Sequence, residues 1–171
     1  MTTITKFKLF WAWEDDKEEN WLREMSQQGY HLSSLGLPGF YKFEHGFAKD
    51  YVYRLDYIRD RKDYANYLQL FNDSGWDHMG EMAGWQYFRK EAVNGDDLEI
   101  YSDNESKANK YQRVLLLLVI ILPLLINMIT VPFRSSGIPE VLKIIFFGFF
   151  LVYIYGFTKL LMRIRNLKKK I

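Results

Sequence analysis

The 171-residue sequence contains no cysteine. Disulfides, a cysteine nucleophile and thiolate-held zinc are therefore excluded. Histidine is scarce, with only His31, His45 and His78, so a zinc site would need carboxylates to complete its ligand set. No phosphate-binding loop is present: "GLPGF" lacks the Lys-Ser/Thr that follows such a loop and does not open a helix. No serine sits in a nucleophile elbow. The opening "MTTITKFKLFWAWEDD" lacks the charged start, apolar core and small-residue cleavage site of a secretory signal. The domain is therefore expected to stay where it is made.

Acidic residues are scarce in the second half. Residues 101–171 hold three Asp and Glu against eleven Lys and Arg, a net charge of +8, whereas residues 1–100 hold eighteen against twelve, a net charge of −6. An acidic half followed by a basic, apolar one suggests a soluble domain on a membrane anchor. An acidic domain is a poor partner for phosphate backbones, so direct nucleic-acid binding is not expected.

Two long apolar runs are present. Val114–Phe133 carries no charge and matches the roughly 20 residues that a helix needs to cross a hydrocarbon core of about 30 Å. Val141–Met162 is the second run, with Lys143 and Lys159 near its ends, where long side chains can reach the interface. The turn at 134–140 is too short to hold a domain, so the runs are expected to form a transmembrane hairpin. Lys107, Lys110 and Arg113 precede the first run, and Arg163, Arg165, Lys168, Lys169 and Lys170 follow the second. The positive-inside rule then places both termini in the cytoplasm. These basic residues set topology, and the tail could also hold anionic lipid. Asn127, Tyr153 and Tyr155 read as packing within the membrane, Pro123 as a kink, and no mid-span charge marks a transport path.

The first hundred residues contain a weak duplication. Phe7-Lys8-Leu9 aligns with Tyr53-Arg54-Leu55, Trp21-Leu22 with Tyr67-Leu68, Gly29-Tyr30 with Gly75-Trp76, and Gly39-Phe40 with Gly84-Trp85. Each copy reads strand, helix, strand, strand. "KFKLFWAW" and "YVYRLDYI" are the first strands. Trp21, Leu22 and Met25 mark one helical face, and Tyr64, Tyr67, Leu68 and Phe71 the other. Asp15 with Glu18 has capping-box spacing, and so does Ser102 with Glu105. Gly29 and Gly75 stop the helices, and Gly39 and Gly84 sit in turns. The fold class is thus α+β: a tandem βαββ repeat forming one largely antiparallel sheet with two helices on one face, related to the ferredoxin-like sandwiches. The expected organisation is a cytoplasmic domain (1–100), a juxtamembrane helix (101–113) continuous with the first span (114–133), an outside turn (134–140), a second span (141–162) and a basic tail (163–171).

Several stretches, "WAWEDDKEENWLREMSQQGYHL", "DYVYRLDY", "YLQLFNDSGWDHM", "GWQYFRK" and "LEIYSDNESK", resemble the bacterial domain-of-unknown-function family 2812, frequent in Firmicutes. The resemblance runs from about Phe7 to Lys107. It implies a domain followed by membrane spans in the bacterial cytoplasmic membrane, and genes that often neighbour PadR-type transcriptional repressors. It carries no catalytic residue.

The aromatic stretch "GWDHMGEMAGWQYFRK" supplies a candidate binding surface, Trp76, Trp85 and Tyr87, where an aromatic box could hold a quaternary ammonium or an apolar compound. The simpler reading of these residues is sheet core. His78 and Glu81 are expected on opposite faces of a strand, which argues against a metal. The carboxylates from Glu14 to Glu19 read as a helix N-terminus, where negative charge suits the dipole. No catalytic, cofactor-binding or metal-binding residue is identified. The expected function is a membrane-anchored, non-enzymatic cytoplasmic binding or regulatory module, with a protein partner or a second copy, acting with a neighbouring repressor. The alternative is an accessory subunit of a membrane transporter or another membrane complex.

Overall fold

The computed structural model describes residues 2–93, 97–134 and 137–169, and the chain divides into two compact units, Met1–Ser102 and Asp103–Ile171. The first unit runs β1 (Thr3–Phe7), α1 (Asp15–Gln27), β2 (Tyr30–Leu35), β3 (Phe40–His45), β4 (Tyr51–Tyr57), α2 (Tyr64–Asp73), β5 (Asp77–Met82) and β6 (Trp85–Glu91). Its strands form two antiparallel three-stranded sheets, ordered β1-β3-β2 and β4-β6-β5. The α+β arrangement is as expected, but the single sheet is divided in two, and each sheet carries a helix on one face. In both sheets a tight turn folds the last strand back on its predecessor, which leaves its far edge free to pair with the first strand.

The first strand lies nearer the N-terminus than the run "KFKLFWAW" suggests. β1 ends at Phe7, which pairs with Phe40, whereas Tyr57 pairs with Trp85 in the other sheet. Phe7 therefore holds the place matched by Tyr57 rather than Tyr53. Leu9, Phe10, Trp11 and Trp13 are released from the strand into the segment before α1.

Gly29 and Gly75 follow α1 and α2 with φ of +83° and +80°, and Gly39 has φ +88°. Gly84 shows why a side chain is refused: φ is +87°, and an added Cβ would stand 2.8 Å from the Tyr57 ring.

Strand β4 explains how α1 comes to serve both sheets. Successive side chains of a strand point to opposite faces. Tyr53 and Leu55 join Leu22 and Met25 of α1, Leu32, Tyr41, Phe43 and Tyr87 in one cluster. Val52 lies with Trp76 and Phe88 in another, packed against Tyr67, Leu68 and Phe71 of α2. Each large apolar side chain buried this way contributes about 1.5–3 kcal/mol. β4 is also an edge strand, and its open side is partly closed by α1: the Leu55 N–H donates to Glu19 Oε1 at 2.8 Å.

The second unit comprises α3 (Asn104–Arg134) and α4 (Glu140–Lys168), both long and apolar enough to cross a membrane. α3 runs unbroken through Pro123, and its 31 residues span roughly 46 Å at 1.5 Å each, well beyond the hydrocarbon core. Its start is held by Asp103 rather than Ser102: the Asp103 carboxylate accepts the Ser106 N–H at 2.7 Å and the Ser106 hydroxyl at 3.0 Å. The helices pack antiparallel. The Tyr153 hydroxyl donates to the Leu118 carbonyl at 2.9 Å, and the Arg163 guanidinium lies 4.6 Å from the Tyr111 ring centroid. Asn127 instead bonds within its own helix, to the Pro123 carbonyl at 3.0 Å.

Candidate functional site: an aromatic cleft over a buried glutamate

Four positions on α1, Asp15, Glu18, Leu22 and Met25, are buried in helical spacing along one face. The two lower ones are apolar and enter the main cluster. The two upper ones are carboxylates. Asp15 is therefore no helix cap and Glu18 does not complete a capping box: Glu14 precedes the first turn, and no side-chain cap bond forms. The reason is tertiary. Glu18, only 6% exposed, accepts the Tyr41 hydroxyl at 2.6 Å and the Tyr87 hydroxyl at 2.5 Å, both on Oε1. Tyr41 comes from β3 and Tyr87 from β6, so one carboxylate joins the two sheets.

Burial pushes the Glu18 carboxyl above the usual range, with the two hydroxyl donors opposing that rise. Burial, together with the negative charge of Glu18, holds both phenols well above their ordinary value. The tyrosines therefore stay protonated and act as donors.

Above this cluster lies a cavity of about 200 Å³. Asp15, Glu18, Tyr41 and Tyr87 supply its polar lining. Phe10, Trp11, Leu55, Met82 and Trp85 line the rest, with Leu9 and Ala12 from the segment before α1. No Lys, Arg or His is among the described residues that line it. Trp11 stacks on Trp13 with centroids 5.2 Å apart and planes 2° from parallel. Trp85 packs on Tyr57 at 5.4 Å. Ala83, in the two-residue turn between β5 and β6, lines the cavity with φ +52°, a conformation that costs a non-glycine residue energy.

Two of the three residues singled out in the sequence thus come together. Trp85 and Tyr87 line the cavity, but Trp76 is buried in the α2 cluster on the other side of the second sheet. Asp15, Glu18, Tyr41, Phe10 and Trp11 escaped sequence reasoning. One signal was present: the spacing of Leu22 and Met25 continues backwards through Glu18 and Asp15, so the carboxylates lie on the buried stripe rather than on a solvated helix end.

His78 and Glu81 also depart from expectation. A bulge between His78 and Gly80 slips the strand alternation by one residue, so both side chains reach Gln86. His78 Nε2 lies 3.0 Å from Gln86 Oε1, and Gln86 Nε2 donates to Glu81 Oε2 at 3.0 Å. Glu81 further pairs with Arg61. His31 Nε2 lies 2.8 Å from the Phe47 carbonyl, and the His45 ring packs edge-on to Tyr30. Among the described residues no group of three or more His, Asp or Glu side chains gathers to hold a metal.

In the second unit the basic residues flank one end of the helix pair. Lys107 and Arg113 are partly exposed and Lys110 is buried, with its ammonium 4.9 Å from the Tyr111 ring centroid. Arg165, Lys168 and Lys169 are exposed. Lys170 lies outside the described residues.

Fold and cleft together define an α+β domain with a carboxylate-floored aromatic cavity, carried on a chain that also holds two apolar helices. Residues 14–122 match the family described as "Protein of unknown function (DUF2812)", and the chain belongs to that family. No curated protein and no solved structure matches the chain.

Proposed function

We propose that the protein is a membrane-anchored, non-enzymatic binding module whose small-molecule site is the cleft over Glu18. In this reading the first unit is a duplicated, ferredoxin-like-related βαββ pair in the cytoplasm, and α3 and α4 form a two-span hairpin with both termini inside. The asymmetric placement of basic residues at one end of the hairpin supports that orientation. The observation that carries the binding role is the cavity itself: it is concave, mostly apolar and aromatic, with a few convergent polar groups, as ligand sites are. Its size suits one aromatic ring with a short arm, since a cavity of about 150 Å³ holds benzene. Phenols kept protonated orient a ligand rather than take a proton from it, which favours binding over base catalysis.

All five tryptophans lie between Trp11 and Trp85, so tryptophan emission of the full chain in nanodiscs reports only the first unit. Titration with 3-phenylpropanol, 3-phenylpropylammonium and 3-phenylpropionate tests the site. At least one should quench or shift emission saturably, and Ala12→Phe, which fills the cleft, should abolish the change. No response to any of the three, or a response that survives Ala12→Phe, refutes the proposal.

A further inference from the structure

The cleft also specifies the shape of its occupant. We propose that it takes an amphiphile: a head the size of one ring enters the cavity, and an unbranched alkyl tail leaves it along an apolar patch on the protein surface. This inference rests on the cleft being a ligand site and deepens that reading.

Three features carry it. First, the cavity is too small for such a molecule as a whole. Its volume of about 200 Å³ holds one ring with a short arm, and the buried side chains of Glu18, Tyr41 and Tyr87 close its inner end. Anything longer must extend outwards. Second, the wall does not stop at the mouth. Leu9 and Trp11 line the cavity, yet they are 54% and 46% exposed. Each offers one part of its side chain to the cavity and another to the surface. Third, the exposed apolar surface of the first unit gathers at this mouth. Eight large apolar side chains are exposed among its described residues, and five of them, Phe7, Leu9, Trp11, Leu37 and Phe40, fall in two short segments. The two segments are joined. The Lys8 N–H donates to the Gly39 carbonyl at 2.8 Å, and the Phe7 and Phe40 ring centroids lie 4.9 Å apart. The same segments supply Leu9, Trp11, Pro38 and Gly39 to the lining. Phe40 alternates with Tyr41 along β3, so the patch runs from the mouth around the end of that strand.

Single exposed apolar residues are ordinary, whereas a contiguous patch marks a binding surface. Continuity with the cleft identifies what covers this one. A tail tethered by its bound head loses no further translational freedom on settling over the patch. Affinity should therefore rise with tail length, by about fourfold for each CH₂ fully buried and roughly twofold for one half-buried on an open surface.

The test uses the full chain in nanodiscs. Free aqueous probe is measured by dialysis against empty nanodiscs, so partition into lipid does not enter the affinity. 3-Phenylpropanol, 3-phenylpropylammonium and 3-phenylpropionate are each compared with the analogue bearing a butyl group para on the ring. For a head that binds, the butyl analogue should bind about tenfold tighter or more, at roughly twofold for each of its carbons. The gain is the ratio of the two affinities within one protein. Leu37→Ser combined with Phe40→Thr should cut it to about threefold or less. Should that double variant fail to fold, as judged by its tryptophan emission, Leu37→Ser alone and the wild-type comparison decide the matter, Leu37→Ser being expected to narrow the gain. Equal or weaker binding of the butyl analogue, as expected were the patch a face for a protein partner, overturns the inference. So does a gain untouched by the patch variants, or a butyl analogue that keeps its affinity in Ala12→Phe where the unsubstituted probe has lost its own. In each of these outcomes the unsubstituted probe still binds the wild-type cleft, so the tail fails while the site stands. Absence of binding by every probe fails the site, and the tail with it.

Discussion

Because two phenols converge on one oxygen of Glu18, removing them should give a non-additive loss of stability. The perturbation is the cycle Tyr41→Phe, Tyr87→Phe and the double variant. Each substitution deletes one hydroxyl and keeps the buried ring. A hydrogen bond to a charged group contributes about 1.5–3 kcal/mol, so each single variant should lose roughly that much at pH 7. The double variant cannot lose the sum, because the carboxylate has an escape: it takes up a proton. At pH 7, protonating an ordinary glutamate of pKa 4.5 costs about 3.4 kcal/mol at 1.36 kcal/mol per unit. Burial has already raised Glu18, so the ceiling lies lower. The cycle should therefore be sub-additive by on the order of 1 kcal/mol or more. At pH 5, where protonation is easier, both single losses should shrink. The assay is urea unfolding of the full chain in detergent, followed by tryptophan emission, which reports the first unit alone. Additive losses at both pH values, or single losses below about 0.5 kcal/mol, would refute an ionised Glu18 bridging two sheets.

Other predictions concern pH, the turn and the topology. Since the folded pKa of Glu18 is raised, its contribution to stability is full below 4.5 and is lost as pH rises through the raised value; Glu18→Gln should therefore gain on wild type between pH 4.5 and neutrality in unfolding titrations, and a constant difference would count against it. Asp50 behaves oppositely. Held below its ordinary 3.8 by the Arg23 guanidinium, it contributes above that value and loses its contribution as pH falls through the depressed one. The Asp50–Arg23 pair is partly exposed, so Arg23→Ala should cost only about 0–1 kcal/mol at pH 7 and less in acid. Gly84→Ala forces a Cβ to within 2.8 Å of the Tyr57 ring at φ +87° and should cost about 1–3 kcal/mol, whereas Gly148, where a Cβ meets nothing within 4 Å, should accept alanine with little effect. A reporter fused after Ile171 should be active in the cytoplasm only, and activity restricted to the outside would sink the proposed orientation.

Element order is largely legible in the sequence. The helices follow from apolar spacing, as at Leu22 and Met25, and the strands from aromatic and β-branched runs closed by glycine. The sequence is ambiguous where a local rule has two solutions. "KFKLFWAW" is as good a strand as "TITKF" by composition, and only pairing with β3 selects the latter. Asp15 and Glu18 satisfy the spacing of a helix cap, yet they lie on the stripe that the sheets cover. His78 and Glu81 would face apart in a regular strand, but the bulge before Gly80 turns them to the same glutamine.

The sequence alone determined the two apolar helices, the continuity of α3 from its polar start into its apolar stretch, and the strand–helix–strand–strand order of the first hundred residues. These are properties of neighbouring residues: length, hydropathy and periodicity. The tertiary structure decided that six strands divide into two sheets, that α1 serves both, and that a cleft opens where they meet. It also decided the fate of Glu18, whose partners Tyr41 and Tyr87 lie 23 and 69 residues away. No local pattern encodes such a meeting. It exists only because the packing of α1 against β3 and β6 brings two phenols to one buried oxygen.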